Sequence, residues 1–191
     1  MSRTLLDVQL AHLLYPLLIE VAESQGILTY TQLIERARLR YPDDRRVANL
    51  IPVRMGRILW VIYNFAQERD LPRLTLVIVS KKYLVPGSAM EHHDIEAEQK
   101  RCYAYDWSTV DRNFDLYIAD SEKAVTPIKY VKQAVATQLM ADHYKAHRAM
   151  YPQAIRKLRD AIIENIMNGM TVEDAFAVEA ELLPLQQAVP V

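Results

Sequence analysis

Hydrophobic positions along this chain recur mostly at helical spacing. From Thr4 to Ser24, Leu6, Leu10, Leu13, Leu14, Leu17, Leu18 and Val21 fall on one stripe, which predicts a helix. Pro16 sits in its middle, so the expectation is a kinked helix or two short ones, stopped at Gln25 and Gly26. Thr29 followed by Gln32 has the form of a capping box. It predicts a helix from about Tyr30 to Leu39 with Leu33, Ile34 and Ala37 inward, and a turn at Tyr41, Pro42, Asp43 and Asp44. Met55, Ile58, Leu59, Ile62 and Phe65 predict a third helix over about Val53 to Glu68.

The period then changes. Leu74 to Val79 is a continuous run of Leu, Thr, Val and Ile that reads as a buried strand, and Tyr83 to Val85 before Pro86 and Gly87 reads as a second one. Together they would make a small β-wing. A polar segment from Met90 to Trp107 is expected to be helical in part, ending near Asp106. Thr126 and Pro127 suit a cap and first turn for a long helix toward Met150, with Ile128, Val131, Val135, Leu139 and Ala146 as its apolar face. Pro152 restarts a helix carrying Ile155, Leu158, Ile162, Ile163 and Ile166, closed by Asn168 and Gly169. Thr171 with Asp174 then opens a last helix to Leu183.

These elements predict a mostly helical α+β protein. Its winged-helix-like N-terminal unit with a small β element occupies residues 1–110, and a helical hairpin plus tail helix occupies 120–185. A seam is expected near 108–125. The 191 residues can bury a real core, and 51% hydrophobic with 25% charged residues excludes the disordered class. Four glycines argue against many tight hairpins and against a glycine-rich phosphate cradle. A single cysteine, Cys102, points to a reducing, cytoplasmic setting. Asp7, Gln9, His12 and Glu20 interrupt the apolar N-terminus, so neither a signal peptide nor a membrane span is expected.

Net charge is −1, so any affinity for nucleic acid must come from local charge. Residues 36–57 hold Arg36, Arg38, Arg40, Arg45, Arg46, Arg54 and Arg57 against Asp43 and Asp44, and Lys81 and Lys82 follow the expected strand. Such a basic stripe can bind phosphates, or it can be a solvated helix face. The stretch from Ile27 to Gly87 resembles the winged-helix DNA-binding domain of alkyltransferase-like repair proteins. The pieces that match are Thr29-Tyr30 opening a helix, Arg45-Arg46-Val47 leading into the next, Pro72 before an apolar strand, and a glycine after it. The resemblance implies that Arg45 or Arg46 would enter a duplex. It departs at Pro72-Arg73-Leu74-Thr75, where the family has Pro-Cys-His-Arg or Pro-Trp-His-Arg, so alkyl transfer is not predicted.

Other candidates are weaker. His143 and His147 share a helix face, near Asp142, but Tyr144 stands where a hydrolytic zinc motif needs glutamate. Packed or solvated histidines, and no metal or cofactor, are the expectation. An enzyme with a site around His92, Cys102 and Asp106 needs a base within reach of the thiol. Tyr103, Tyr105 and Trp107 would share one face if extended, for base stacking or for packing. Two functions follow. One is a non-enzymatic nucleic-acid-binding or regulatory protein acting through the arginines. The other is a protein–protein interaction module, such as an adaptor or a phage- or mobile-element-borne inhibitor, whose partner is another protein or a second copy.

Overall fold

The structure, a computed structural model, describes residues 3–80, 94–125 and 129–183. Among the described residues it is mostly helical, with one two-stranded parallel sheet. The chain divides into two compact units, Asp7–Ser121, and Glu122 onward together with the first six residues.

In the first of these units, α1 (Leu5–Glu23) runs unbroken through Pro16 instead of splitting there. From Asp7 on it buries Val8, Leu10, Ala11, Leu14, Tyr15, Leu17, Leu18 and Val21. By length and composition α1 could cross a membrane, but it is largely buried within the fold, as a core helix is. It closes where expected, but by an unexpected residue. Gln25 takes a left-handed φ of 52°, Gly26 N–H donates to Val21 O at 3.0 Å and Gln25 N–H to Ala22 O at 2.9 Å, which is a Schellman closure.

Two residues later β1 (Leu28–Thr29) begins, and Thr29 is also the N-cap of α2 (Tyr30–Arg40). The capping box forms as predicted. Gln32 N–H donates to Thr29 Oγ1 at 3.3 Å and Thr29 N–H to Gln32 Oε1 at 2.8 Å, with Leu33, Ile34 and Ala37 buried. Asp44 caps a short α3 (Arg45–Ala48) that the sequence did not announce. A 3-10 turn at Pro52–Arg54 then leads into α4 (Met55–Glu68). That helix also ends in a Schellman closure, with Asp70 at φ 52° and Leu71 N–H donating to Ala66 O at 2.9 Å.

The predicted strand Leu74 to Val79 is corrected. Leu74–Val77 is a buried 3-10 turn, and only β2 (Ile78–Val79) is extended, pairing parallel with Leu28 and Thr29. The partner sets the limit, because the closure of α1 runs to Gly26 and α2 is capped at Thr29, leaving room for a two-residue strand. The second expected strand, Tyr83 to Val85, lies outside the described residues, as do Thr126 and Pro127. Helix α5 (Ile95–Ala104) matches the partial helix expected there, and α6 (Asp111–Val125) occupies the expected seam. Phe114 of α6 stacks on Tyr15 at 3.8 Å between centroids and meets Phe65 edge-on at 4.9 Å, making the aromatic centre of this unit.

The second unit is a set of packed helices, α7 (Gln133–His147), α8 (Arg159–Met167) and α9 (Val172–Ala180). Between α7 and α8 the chain forms two 3-10 turns, Arg148–Met150 and Gln153–Leu158. Ile155, Leu158, Ile162, Ile163 and Ile166 are all buried, as their spacing predicted. The apolar face of α7 is corrected. Ala136 and Met140 point inward, while Val135 and Leu139 stay 49% and 41% exposed. Thr171 caps α9, accepting from Asp174 N–H at 3.1 Å, and the helix stops at Ala180, short of the expected Leu183. Inside the unit, Asn165 Nδ2 donates to Glu179 Oε1 at 2.7 Å, with both residues buried.

Gly169 closes α8 at φ 89°, and here glycine is required twice over. A Cβ there would lie 2.6 Å from Lys129 N and 2.9 Å from Lys129 O, where the chain crosses on its way to the Val131 N–H bond with Met167 O at 2.9 Å. Gly169→Ala should therefore cost about 2–4 kcal/mol in denaturant unfolding, from left-handed strain plus backbone collision. Gln25→Gly and Asp70→Gly should each stabilise by about 0.5–1 kcal/mol, the glutamine site more than the aspartate, read as higher melting temperatures.

Candidate functional site

The nine basic residues that the sequence groups together have different fates. Arg36 pairs with Glu20, its guanidinium 2.7 Å from Oε2. Arg38 donates to the backbone carbonyls of Ala48 at 3.1 Å and Leu50 at 2.9 Å, pinning the chain that links α3 to α4. Arg46 folds back on the N-cap Asp44 through two bonds of 3.1 and 2.6 Å, and also reaches Gln9 Oε1 at 3.1 Å. Those hydrogen bonds from Arg46 hold the Asp44 carboxyl below the usual carboxylate range. Arg40 and Arg45 are exposed. Lys81 and Lys82 lie outside the described residues.

Arg54 and Arg57 leave the expected stripe altogether. Both are buried, with side chains 3% and 0% exposed, and they converge on Asp7, itself 0% exposed. Arg54 Nε is 2.9 Å from Asp7 Oδ1 and an Arg57 terminal nitrogen is 2.7 Å from Oδ2. A guanidinium so placed cannot reach a phosphate in solution. The signal for this was present in α1, where Asp7 lies on the same face as Ala11, Leu14 and Leu18, and a carboxylate on an apolar face needs a cation.

Cys102 is buried on α5, and burial pushes its thiol up to about 12, opposite to what a thiolate nucleophile requires. Its backbone carbonyl accepts from Trp107 Nε1 at 2.9 Å. Asp106 serves as a cap, accepting from Ser108 N–H at 3.0 Å and from the Ser108 hydroxyl at 2.6 Å. His92 and His93 lie outside the described residues. The aromatic row is not a row in space. Tyr103 lies on α5 and its hydroxyl donates to Gly26 O at 3.2 Å, while Trp107 is buried in a 3-10 turn with Tyr105 against it at 4.8 Å between centroids.

His143 and His147 do come together. Their rings lie 4.3 Å apart, His143 Nε2 is 3.0 Å from the Tyr151 hydroxyl, and His147 Nδ1 donates to His143 O at 3.0 Å. Phe176 of α9 closes the cluster, 4.8 Å from both His143 and Tyr151. Sequence spacing found the two histidines. It missed Tyr151, which the chain after α7 folds back, and Glu173 and Phe176, which the packing of α9 brings to them. Asp142 points elsewhere, accepting from Gln138 at 2.9 Å, and among the described residues no three metal-ligating side chains converge.

Comparison with protein-family models, curated proteins and solved structures finds no match for this chain.

The buried charges give a sharp expectation. Asp7→Ala should destabilise by about 3–5 kcal/mol, because it strands two guanidinium groups in the core. Arg57→Ala should cost a similar amount, measured by urea unfolding. Arg40→Ala and Arg45→Ala should each fall within about 0.5 kcal/mol of the parent. Equal costs across the four would remove the distinction between buried and surface arginines.

Proposed function

We propose that this chain is a protein–protein interaction module that docks its partner on the outer face of α7. The observation that carries this is the rotation of α7, which turns Ala136 and Met140 inward and leaves Val135 and Leu139, one turn apart, in solvent. Tyr130 and Met150, at either end of α7, are each 74% exposed in the same unit. Large apolar side chains gathered on one helix and its flanks suit an interface core better than a solvated surface. The arginine stripe, the rival feature, supplies structure first. Four of its seven members pair with carboxylates and a fifth holds backbone carbonyls.

A nucleic-acid reading keeps one observation in its favour. Arg40 and Arg45 are exposed, and Arg45 opens α3 at the place where the winged-helix resemblance puts a duplex-entering arginine. The order α1, β1, α2, α3, α4, β2 is compatible with that architecture, and the β-wing is the part on which it depends most. Surface pairs such as Arg36 with Glu20 are worth no more than about 1 kcal/mol, so those arginines could exchange partners for a phosphate.

Two measurements separate the readings. Val135→Glu with Leu139→Glu should leave the melting temperature within a few degrees of the parent and abolish a stoichiometric co-purifying protein or self-association in size-exclusion chromatography. Retention of that partner by the double variant would overturn the docking assignment. Titration against duplex DNA, single-stranded DNA and RNA at two salt concentrations should show no salt-steep binding. Binding that weakens steeply with salt and is lost in Arg40→Glu with Arg45→Glu would establish the nucleic-acid reading instead.

A further inference from the structure

We propose that His143, packed on α7 with His147, Tyr151 and Phe176, is a pH-sensitive latch, which holds α9 against α7 while its imidazole is neutral and loosens it when that ring is protonated. The geometry is a cluster of tilted rings around His143. His147 lies 4.3 Å from His143 on one side, Phe176 of α9 lies 4.8 Å from it on another, and the Tyr151 hydroxyl meets Nε2 at 3.0 Å. Because a backbone carbonyl only accepts, the 3.0 Å bond to His143 O puts the proton of neutral His147 on Nδ1. A second proton on His143 would place a charge in this largely desolvated cluster, against Phe176 and beside the His147 ring.

The groups facing His143 decide the direction. On its own helix the titratable neighbour is His147, which opposes protonation. From α9 comes Glu173, whose Oε1 is 3.8 Å from Nδ1 and favours it. Tyr151, from the segment after α7, keeps its proton, since burial raises its phenol above the ordinary value. Its hydroxyl can donate to neutral Nε2 or accept from a protonated one, so it does not choose between the states. Glu173 is 74% exposed while the His143 side chain is 10% exposed, so water screens the attraction while the imidazole bears the cost of desolvation. Burial, followed by His147, thus holds His143 below its ordinary value of 6.5.

The sign follows from linkage. A depressed value means the opened form takes up a proton more readily than the packed form. The neutral imidazole's contribution is therefore complete above 6.5 and is lost as pH falls below it. Glu173 both faces His143 and lies in the first turn of α9, so the helix that carries the latch's counter-charge is also the one released.

Amide hydrogen exchange on the full chain, at about pH 7.5 and about pH 5.5 and corrected for intrinsic rates, tests this. Protection of α9 should fall about threefold or more at the lower pH relative to α2, which carries no histidine. His143→Phe, which keeps an aromatic ring against Phe176 but cannot titrate, should abolish the drop. Two milder surface variants keep the test decisive if that one packs poorly. His147→Gln should shrink the drop by removing the like charge, and Glu173→Gln should deepen it by removing the opposite one. His12→Gln, altering a histidine that pairs with Asp115 in the other unit, should change nothing at α9. Equal protection at both pH values, or a drop unaltered in both His147→Gln and Glu173→Gln, would overturn the latch.

Discussion

The first unit is organised around one buried carboxylate. Asp7 enters the core on the same face of α1 as its leucines and holds two guanidinium groups, one from the turn before α4 and one from α4 itself, one through each oxygen. Desolvating three charges costs several kcal/mol per ion, so a well-packed apolar trio could be as stable. What the ions add is direction. Leucines can slide past one another by a turn at small cost, whereas a carboxylate with two convergent cations has one arrangement. Such an arrangement favours one registry of α1 on α4, the one in which Tyr15, Phe65 and Phe114 meet in the aromatic centre. The same interaction takes Arg54 and Arg57 out of the population of charges that could contact a partner.

A second constraint is the manner in which helices end. Three Schellman closures, at Gln25, Asp70 and Gly169, turn the chain sharply after α1, α4 and α8. Only the third uses glycine, because only there does another stretch of backbone occupy the place of a side chain. The first closure also sets the scale of the sheet. Since the closure of α1 runs to Gly26 and the Thr29 capping box begins α2, the intervening strand has two residues, and its partner can be no longer than what it pairs with.

Local signals are legible in the sequence, and long-range ones are not. The capping box at Thr29, the Thr171–Asp174 cap and the Asn168–Gly169 closure depend on residues a few positions apart, and each is found where its sequence placed it. The isoleucines from Ile155 to Ile166 share one face and are buried together. Leu74 to Val79 misled because a continuous apolar run states only that the segment is buried. Whether it extends depends on a partner strand far away in sequence. On α7 two adjacent stripes are both apolar enough to be core. The packed one contains alanine, whose small side chain lets a neighbouring helix approach, which the larger Val135 and Leu139 would not. The arginine stripe was counted along the chain, where Asp43 and Asp44 are its visible acids. The acid that matters most is Asp7, more than forty residues earlier, and its relevance appears only when α1 lies on α4.

These misreadings share a consequence for function. Residue types that promise chemistry in a sequence, such as an arginine run, a lone thiol or a pair of histidines, are also the types that a helical fold uses to terminate, brace and register its elements. Arg38 bonds backbone carbonyls, Asp44 and Asp106 cap helical turns, and the Cys102 thiol is held near 12 by its burial. Among the described residues, most of these side chains are traced to a structural partner, and large apolar side chains such as Val135 and Leu139 stay partly in water. A half-exposed valine or leucine on a helix whose other face is already packed leaves much of its apolar surface uncompensated. That surface gains free energy when something else covers it, and that is the physical argument behind the proposal that α7 docks a partner.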